Sequence, residues 1–550
     1  MRARRMLGRA VGRVLGLSLV IVFCSAHVGS PDVWYEGTAG PYHVLVSVRL
    51  PGVVPGVAQI AVHVDGAPPD RVAVGVNYFN AVAPPPPDDA TRDPADSASF
   101  AGHLWIMHPG SNAVSVTISG RRGTATTIVP VVAVATRRLP LYRWLGVVLA
   151  IIGLVLFAGA VSIVGSAVRE STLAPGELPD ARRRRRARLA MAATAVVMTG
   201  ILYGGKSWWD NEDQSFQQAL YHPMTVRATL HGDTLAMTIT DSAWLHRADT
   251  AWLHARRLAP SVTPLIPDHG KLVHLFLVGD AGAFAHLHPT TVDSVTFSTT
   301  LPPLPAGHYA VFADIVQESG FDQTLVADIA MPAQATRWVA SDSDDAWSLA
   351  TPISINGVKV VLADGSVLRH IGTATPVAGG DAGLRFVVED PSGAPAVLQP
   401  YMGMAGHAVV MSRDRRVFIH LHPMGTVSSA SQQTFVVRTS ADTATGAVAR
   451  RLSAMTQGGM AMPATLGDTV SFPYAFPTAG SYVVWVEFKR NGRIVTVPLT
   501  ITVGDSAASR AGIAAATGCP GRACAPRATA NTDRAATRAP GTPDPLRLRG

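Results

Sequence analysis

The chain has 550 residues, room for three or four domains of about 100–200 residues each. Only 15% of them are charged and mean hydropathy is +0.22, which points to membrane segments rather than to one large soluble enzyme. The pI of 9.7 does not indicate a nucleic-acid binder, because much of the excess base sits in Arg2, Arg4, Arg5, Arg9 and Arg13 and in one run, Arg182 to Arg186 plus Arg188.

Residues 1–26 read as a signal peptide: arginines precede the apolar stretch 15–23, and Cys24-Ser25-Ala26 supplies small residues for cleavage, which would make His27 the first mature residue. Residues 27–138 alternate short apolar runs with turn residues and predict an extracytoplasmic β-sandwich. The uncharged run 144–168 is long enough to span about 30 Å of hydrocarbon, and 189–205 is a shorter second span. The arginine run lies in the intervening loop 169–188. The positive-inside rule places that loop in the cytoplasm and both flanking regions outside the cytoplasmic membrane.

Residues 222–332 and 350–503 also read as β-sandwiches, and they resemble each other. His274 is followed by His286-Leu-His288-Pro289, and His407 by His420-Leu-His422-Pro423, with one residue more in the second connection. Residues 293–297 then match 468–472, and 306–314 match 479–487, ending on Asp314 and Glu487. Order, spacing and residue type agree over three blocks, as internal duplication would leave them. Residues 504–550 lack periodicity and predict a disordered tail. The predicted fold class is mainly β: three immunoglobulin-like or cupredoxin-like β-sandwich domains plus a two-helix transmembrane hairpin.

Each first block predicts a β-hairpin with His274 opposite His288, or His407 opposite His422. His286 and His288 are two apart and share a face, as do His420 and His422. A carboxylate on an otherwise apolar strand needs a cation, a metal or a histidine as partner, so Asp314 and Glu487 join the candidate sites. Three imidazoles and a carboxylate suit zinc or copper(II). Met402, Met404 and Met424 flank the second set, with Met455, Met460 and Met462 in an insertion. Thioethers are soft ligands, so copper is favoured over zinc, and the second domain pair member is expected to hold copper(I) more tightly.

The three cysteines are Cys24, Cys519 and Cys524, none within a predicted domain. A blue-copper site, which needs a thiolate, is thereby excluded there. Tyr309 and Tyr482, in Gly-x-Tyr, read as the structural tyrosine of an immunoglobulin-type corner. No nucleophile–base pair, P-loop, zincin or dinucleotide motif is present, so the reading leans away from an enzyme.

The His-Leu-His-Pro hairpins and the Gly-x-Tyr strands resemble an uncharacterised group of bacterial envelope proteins with immunoglobulin-like or cupredoxin-like domains, grouped with YtkA-like and copper-handling proteins. The layout of β domain, two spans and further β domain also resembles the B subunit of particulate methane monooxygenase, whose copper ligands include an N-terminal histidine and a His-x-His pair. Here the pairs follow the spans and are duplicated. The resemblance implies metal handling, with copper as the metal and an envelope protein as a partner. The alternatives are a non-metal envelope scaffold and a copper monooxygenase-type subunit.

Overall fold

In the computed structural model the described residues are 32–505, apart from 80–83, 140, 175, 219, 250, 252–261, 281, 334–337, 356–358, 374, 440–441, 443–444 and 458–464. The leader, His27, all three cysteines, Met460 and Met462, and the tail beyond residue 505 lie outside them.

Strand alternation builds the first sandwich. In Tyr42–Arg49 the residues Tyr42, Val44, Val46 and Val48 are buried while His43 and Arg49 face outward, the period of two that a half-buried strand requires. It pairs with Asp32–Ala39 and Gly56–Val64 in one sheet, and Arg71–Tyr78, Gly110–Gly120 and Gly123–Ala133 form the facing sheet.

Two helices follow, Arg143–Glu170 and Ala181–Gln218, each long and apolar enough to cross a membrane. They touch closely at Gly165, where a Cβ would fall 2.6 Å from Met191 Cγ. A small residue at this point lets the helix axes approach. The connection is shorter than the loop 169–188 read from the sequence. Asp180 accepts a 2.7 Å hydrogen bond from the backbone N–H of Arg183 and starts the second helix, so the arginine run occupies its first turns. That helix also continues past residue 205, carrying Trp208 and Trp209.

The second and third sandwiches share one sheet order. In the second it runs Asp322–Met331, Gly307–Gln317, His274–Gly279, Phe284–Leu287. In the third it runs Arg493–Val503, Gly480–Arg490, His407–Ser412, Phe418–Leu421. The strands His274–Gly279 and His407–Ser412 are buried at every residue. A half-exposed strand would alternate; these do not, because each sheet is covered on both faces. Leu275, Leu277, Ala285 and Leu287 fill the core of the second sandwich, and Ala408, Val410, Ile419 and Leu421 that of the third.

The opposite faces pack on each other. Phe276, Phe284 and Phe312 from the second sandwich meet Val409, Phe418 and Trp485 from the third. Phe312 stacks on Phe418 at 3.9 Å between centroids and 8° between planes, and Phe284 stacks on Trp485 at 4.9 Å and 13°. In the repeat Phe312 corresponds to Trp485 and Phe284 to Phe418, so the two stacks are exchanged by an approximate two-fold axis between the domains. At the hairpin turns Arg415 pairs with Asp280 across the same interface.

The third sandwich also grips its neighbours. Its insertion forms helices Ser429–Val437 and Ala447–Gln457. The Glu318 carboxylate of the second sandwich accepts hydrogen bonds from the N–H groups of Gly446, Val448 and Ala449 at 2.6, 2.8 and 3.0 Å. A carboxylate there satisfies donors that the first helical turn leaves unpaired. Toward the first sandwich, Glu36 N donates to Met424 O and Thr426 N to Trp34 O, both at 2.9 Å. Gly425 lies between them at φ 111°, where a Cβ would come within 2.1 Å of the Trp34 carbonyl oxygen. Both the backbone angle and the close approach call for glycine.

Phe418 is fully buried. Phe418→Ala removes one stack and leaves a cavity between two sheets, at a cost of about 3–5 kcal/mol. Urea unfolding of the purified protein should show a correspondingly lowered midpoint; an unchanged midpoint would mean that the two sheets are not held by this contact.

Candidate metal centre

The hairpin register runs Phe276↔His286 and Leu275↔Leu287, which continues to His274 opposite His288. In the third sandwich Val409↔His420 and Ala408↔Leu421 continue to His407 opposite His422. These histidines lie on the faces that meet, at one end of the aromatic stacks, so both sets enter the same interface. His274 and His420, from different domains, are 5.1 Å apart between ring centroids, and His286 and His420 5.4 Å.

Within this cluster two groups bring three ring nitrogens within 4.8 Å of one another: His274, His286, His288, and His269, His407, His422. The first is the trio read from the sequence. The second takes His407 and His422 from the predicted trio but His269 in place of His420. His420 remains a neighbour, 4.5 Å from His422 and 5.2 Å from His407 between centroids. His269 belongs to the second sandwich, on a turn ahead of His274.

The carboxylates take a different part from the one expected. Asp314 stands opposite His274 and Glu487 opposite His407 in the backbone register. Their side chains nevertheless reach across the interface. Glu487 Oε2 lies 2.7 Å from His286 Nδ1, and Asp314 Oδ2 lies 3.6 Å from His420 Nδ1. Thr496 donates to the other oxygen of Glu487 at 2.9 Å and Thr324 to that of Asp314 at 2.5 Å. Each acid therefore serves a histidine of the other domain, as the approximate two-fold axis requires. The closest ring nitrogen to each acid thus comes from the other domain, not from the trio on its own.

The hydrogen bonds also sort the ring nitrogens. His286 Nδ1 faces Glu487, His288 Nδ1 lies 3.0 Å from Asp345 Oδ1, and His274 Nε2 lies 3.3 Å from the Asp268 carbonyl. With one nitrogen of each ring held by an acceptor, the other is left as a lone-pair donor, the arrangement in which an acceptor behind the ring orients a metal-bound imidazole. The freed atoms are His274 Nδ1, His286 Nε2 and His288 Nε2. The first two are 3.3 Å apart, which is the edge of a tetrahedron with arms of about 2.0 Å. His288 Nε2, His420 Nε2 and both nitrogens of His407 are buried without a hydrogen-bond partner. Buried orphan nitrogens are costly, and a cation at their centre removes the cost. In the second group Asp268 Oδ2 lies 3.6 Å from His269 Nε2 and 3.7 Å from His422 Nε2.

Burial sets the protonation. It drives His274, His407 and His420 well below the usual imidazole value, with neighbouring histidines adding to the effect, and brings His422 down to about 4. His288 is lowered by burial against the opposing pull of Asp345. Neutral imidazoles are the ligating form. Burial likewise raises Asp314 to about 7 and Asp322 well above the ordinary carboxylate range, the charges of Asp314 and Asp268 adding to the latter. A cavity of about 240 Å³ reaches the cluster between the three sandwiches; His274, His420, His422, Asp314 and Asp322 line its polar end.

The methionines divide. Met402 is buried on a turn before His407. Met404 and Met424 instead line an outer pocket with Glu36 and His43 of the first sandwich, and Met424 packs against that sandwich's core. Tyr309 and Tyr482 each donate from Oη to the carbonyl four residues earlier, Pro305 and Thr478, at 2.8 Å, a corner bond and not a catalytic one. Sequence reasoning missed His269, Asp345, Asp268 and Tyr401, whose Oη lies 3.3 Å from His286 Nδ1. For His269 a signal existed: Pro267 and Gly270 ahead of His274 repeat as Pro400 and Gly403 ahead of His407.

With fold and centre described, comparison with known proteins adds little. A family described as a domain of unknown function (DUF8832) matches residues 361–447, a stretch that contains His407, His420 and His422. No curated protein matches. Among solved structures, the chain is similar to a 1.5-MDa bacterial ice-binding adhesin at 7% identity and TM-score 0.13, over 87% of this chain and 100% of that one. The FN1–FN3 domains of chicken CNTN1 match at 8% identity and TM-score 0.14, over 82% and 100%. Salmonella alpha-2-macroglobulin reacted with methylamine matches at 8% identity and TM-score 0.17, over 87% and 24%. The chain is thus defined by its own sheets as a mainly β protein of tandem immunoglobulin-like sandwiches with two apolar helices.

The buried neutral histidines fix a pH dependence for the metal-free protein. In the unfolded chain they bind protons near the usual 6.5, whereas folded His422 waits until about 4. Below pH 6.5 the unfolded state therefore holds more protons and stability falls as pH falls. Asp314 and Asp322 act in the opposite sense, but the five lowered histidines outnumber them. Denaturant midpoints of the chelator-treated protein should drop steadily from about pH 7 to about pH 4. A flat profile would show that the imidazoles are not held neutral.

Proposed function

We propose that this is a membrane-anchored, extracytoplasmic metal-binding protein that handles or delivers copper, its centre lying in the interface of the second and third sandwiches. The observation that carries the reading is the pair of three-histidine groups whose nitrogens converge, with one nitrogen of each ring of the His274 group held by an acceptor and both nitrogens of His407 and His422 buried without a hydrogen-bond partner. Imidazole-rich buried sites select borderline metals such as copper and zinc over calcium or magnesium. The buried Met402 on the turn ahead of His407 and the resemblance to YtkA-like and copper-handling envelope proteins favour copper. The arginines at the start of the second helix support a cytoplasmic turn between the two spans, with the sandwiches on the other side, where envelope partners would exchange the metal.

Two measurements test this. Elemental analysis of the full chain in detergent, after copper loading and dialysis, should find bound copper, and a variant with His286→Ala and His407→Ala should lose it. A chain that retains no copper or zinc would be an envelope scaffold instead. For sidedness, reporter fusions at residue 505 should be active outside the cytoplasm; cytoplasmic activity there would overturn the proposed location.

A further inference from the structure

The reading just given says that the centre binds metal; the two-fold relation between the sandwiches says more about which metal goes where. Resting on that reading, we infer that Met402 of the third sandwich is the thioether ligand of the His274–His286–His288 group of the second, making this group the copper(I) position of the centre.

The inference starts from two turns of the same build. Pro267-Asp268-His269-Gly270-Lys271 leads to His274, and Pro400-Tyr401-Met402-Gly403-Met404 leads to His407, with the turn residue five positions ahead in both. His269 and Met402 adopt left-handed φ of 51° and 48°, and the following glycines φ of 82° and 78°. Asp268 and Lys271 exchange two backbone hydrogen bonds at 2.9 Å each, as Tyr401 and Met404 do at 2.8 and 3.1 Å. A non-glycine residue in the left-handed region is strained, and such strain gathers where a side chain is held for a purpose.

His269 shows where such a residue goes. It leaves its own domain and joins His407 and His422 of the other. The aromatic stacks and the carboxylate–histidine pairs obey the same exchange. Applied to the second turn, the exchange carries Met402 to His274, His286 and His288. Tyr401, its neighbour, already touches His286. Met402 is 7% exposed and lies outside the apolar clusters that fill the sandwiches and their interface. A buried thioether beside free imidazole nitrogens is a soft ligand set, suited to copper(I). The other group is all imidazole. The site preference is the reverse of the expectation that the third sandwich's own histidines, being near methionines in sequence, would hold copper(I) more tightly.

The test uses the full chain in detergent, loaded anaerobically with one equivalent of copper(I) and examined by X-ray absorption at the copper edge. A copper–sulfur shell is expected in the unaltered protein. Met402→Leu should abolish it and weaken copper(I) binding in a competition titration by about ten-fold or more. Met404→Leu and Met424→Leu should leave the shell in place, and His269→Ala should leave it while lowering the capacity for a second ion. A nitrogen-only shell in the unaltered protein would overturn the inference and leave metal binding standing. A sulfur shell that survives Met402→Leu would do the same. No bound copper at all would overturn both.

Discussion

Everything specific to this molecule depends on two β-sheets packing face to face through surfaces that each carry histidines. The sheets are held by two aromatic stacks, Phe312 on Phe418 and Phe284 on Trp485, related by exchange of the domains. Aromatic pairs supply large buried area and fixed ring geometry together. Stacks alone would make an inert seam. At one end the apolar contact gives way to imidazoles, which the same packing buries. Their nitrogens are then left to acids, carbonyls, one another or an ion.

The duplication explains why the centre is shared and not doubled. Two copies of one hairpin, each with an apolar outer face, cover each other most completely by an approximate two-fold arrangement, as identical surfaces do in symmetric dimers. Within one chain the copies diverge. The turn carries histidine in one and methionine in the other, the acid is Asp314 or Glu487, and only the first copy has the Asp345 partner on His288. A symmetric scaffold thereby holds chemically unequal positions. The first sandwich contributes by closing the cavity wall and by its contacts with the segment around Gly425, just beyond His422. That contact connects the histidine end of the third sandwich to the domain preceding the two apolar helices.

The sequence by itself determined the composition of this protein and its local geometry. Strand periodicity marked three sandwiches; two apolar runs marked the long helices; the spacing His-x₁₁-His-x-His, repeated as His-x₁₂-His-x-His, placed each trio on one hairpin face. These are short-range consequences of backbone geometry and need no knowledge of packing. The tertiary structure alone decided which histidine meets which acid. Asp314 and His420 are more than a hundred residues apart, as are His286 and Glu487, and their pairing follows from the angle at which two sheets meet. The strands His274–Gly279 and His407–Ser412 are apolar on both faces, so their sequence does not distinguish the face toward the sandwich core from the face toward the other domain. His269 was hidden for the same reason. Its turn repeats visibly, but repetition shows that two segments fold alike and not that each reaches into the other's half.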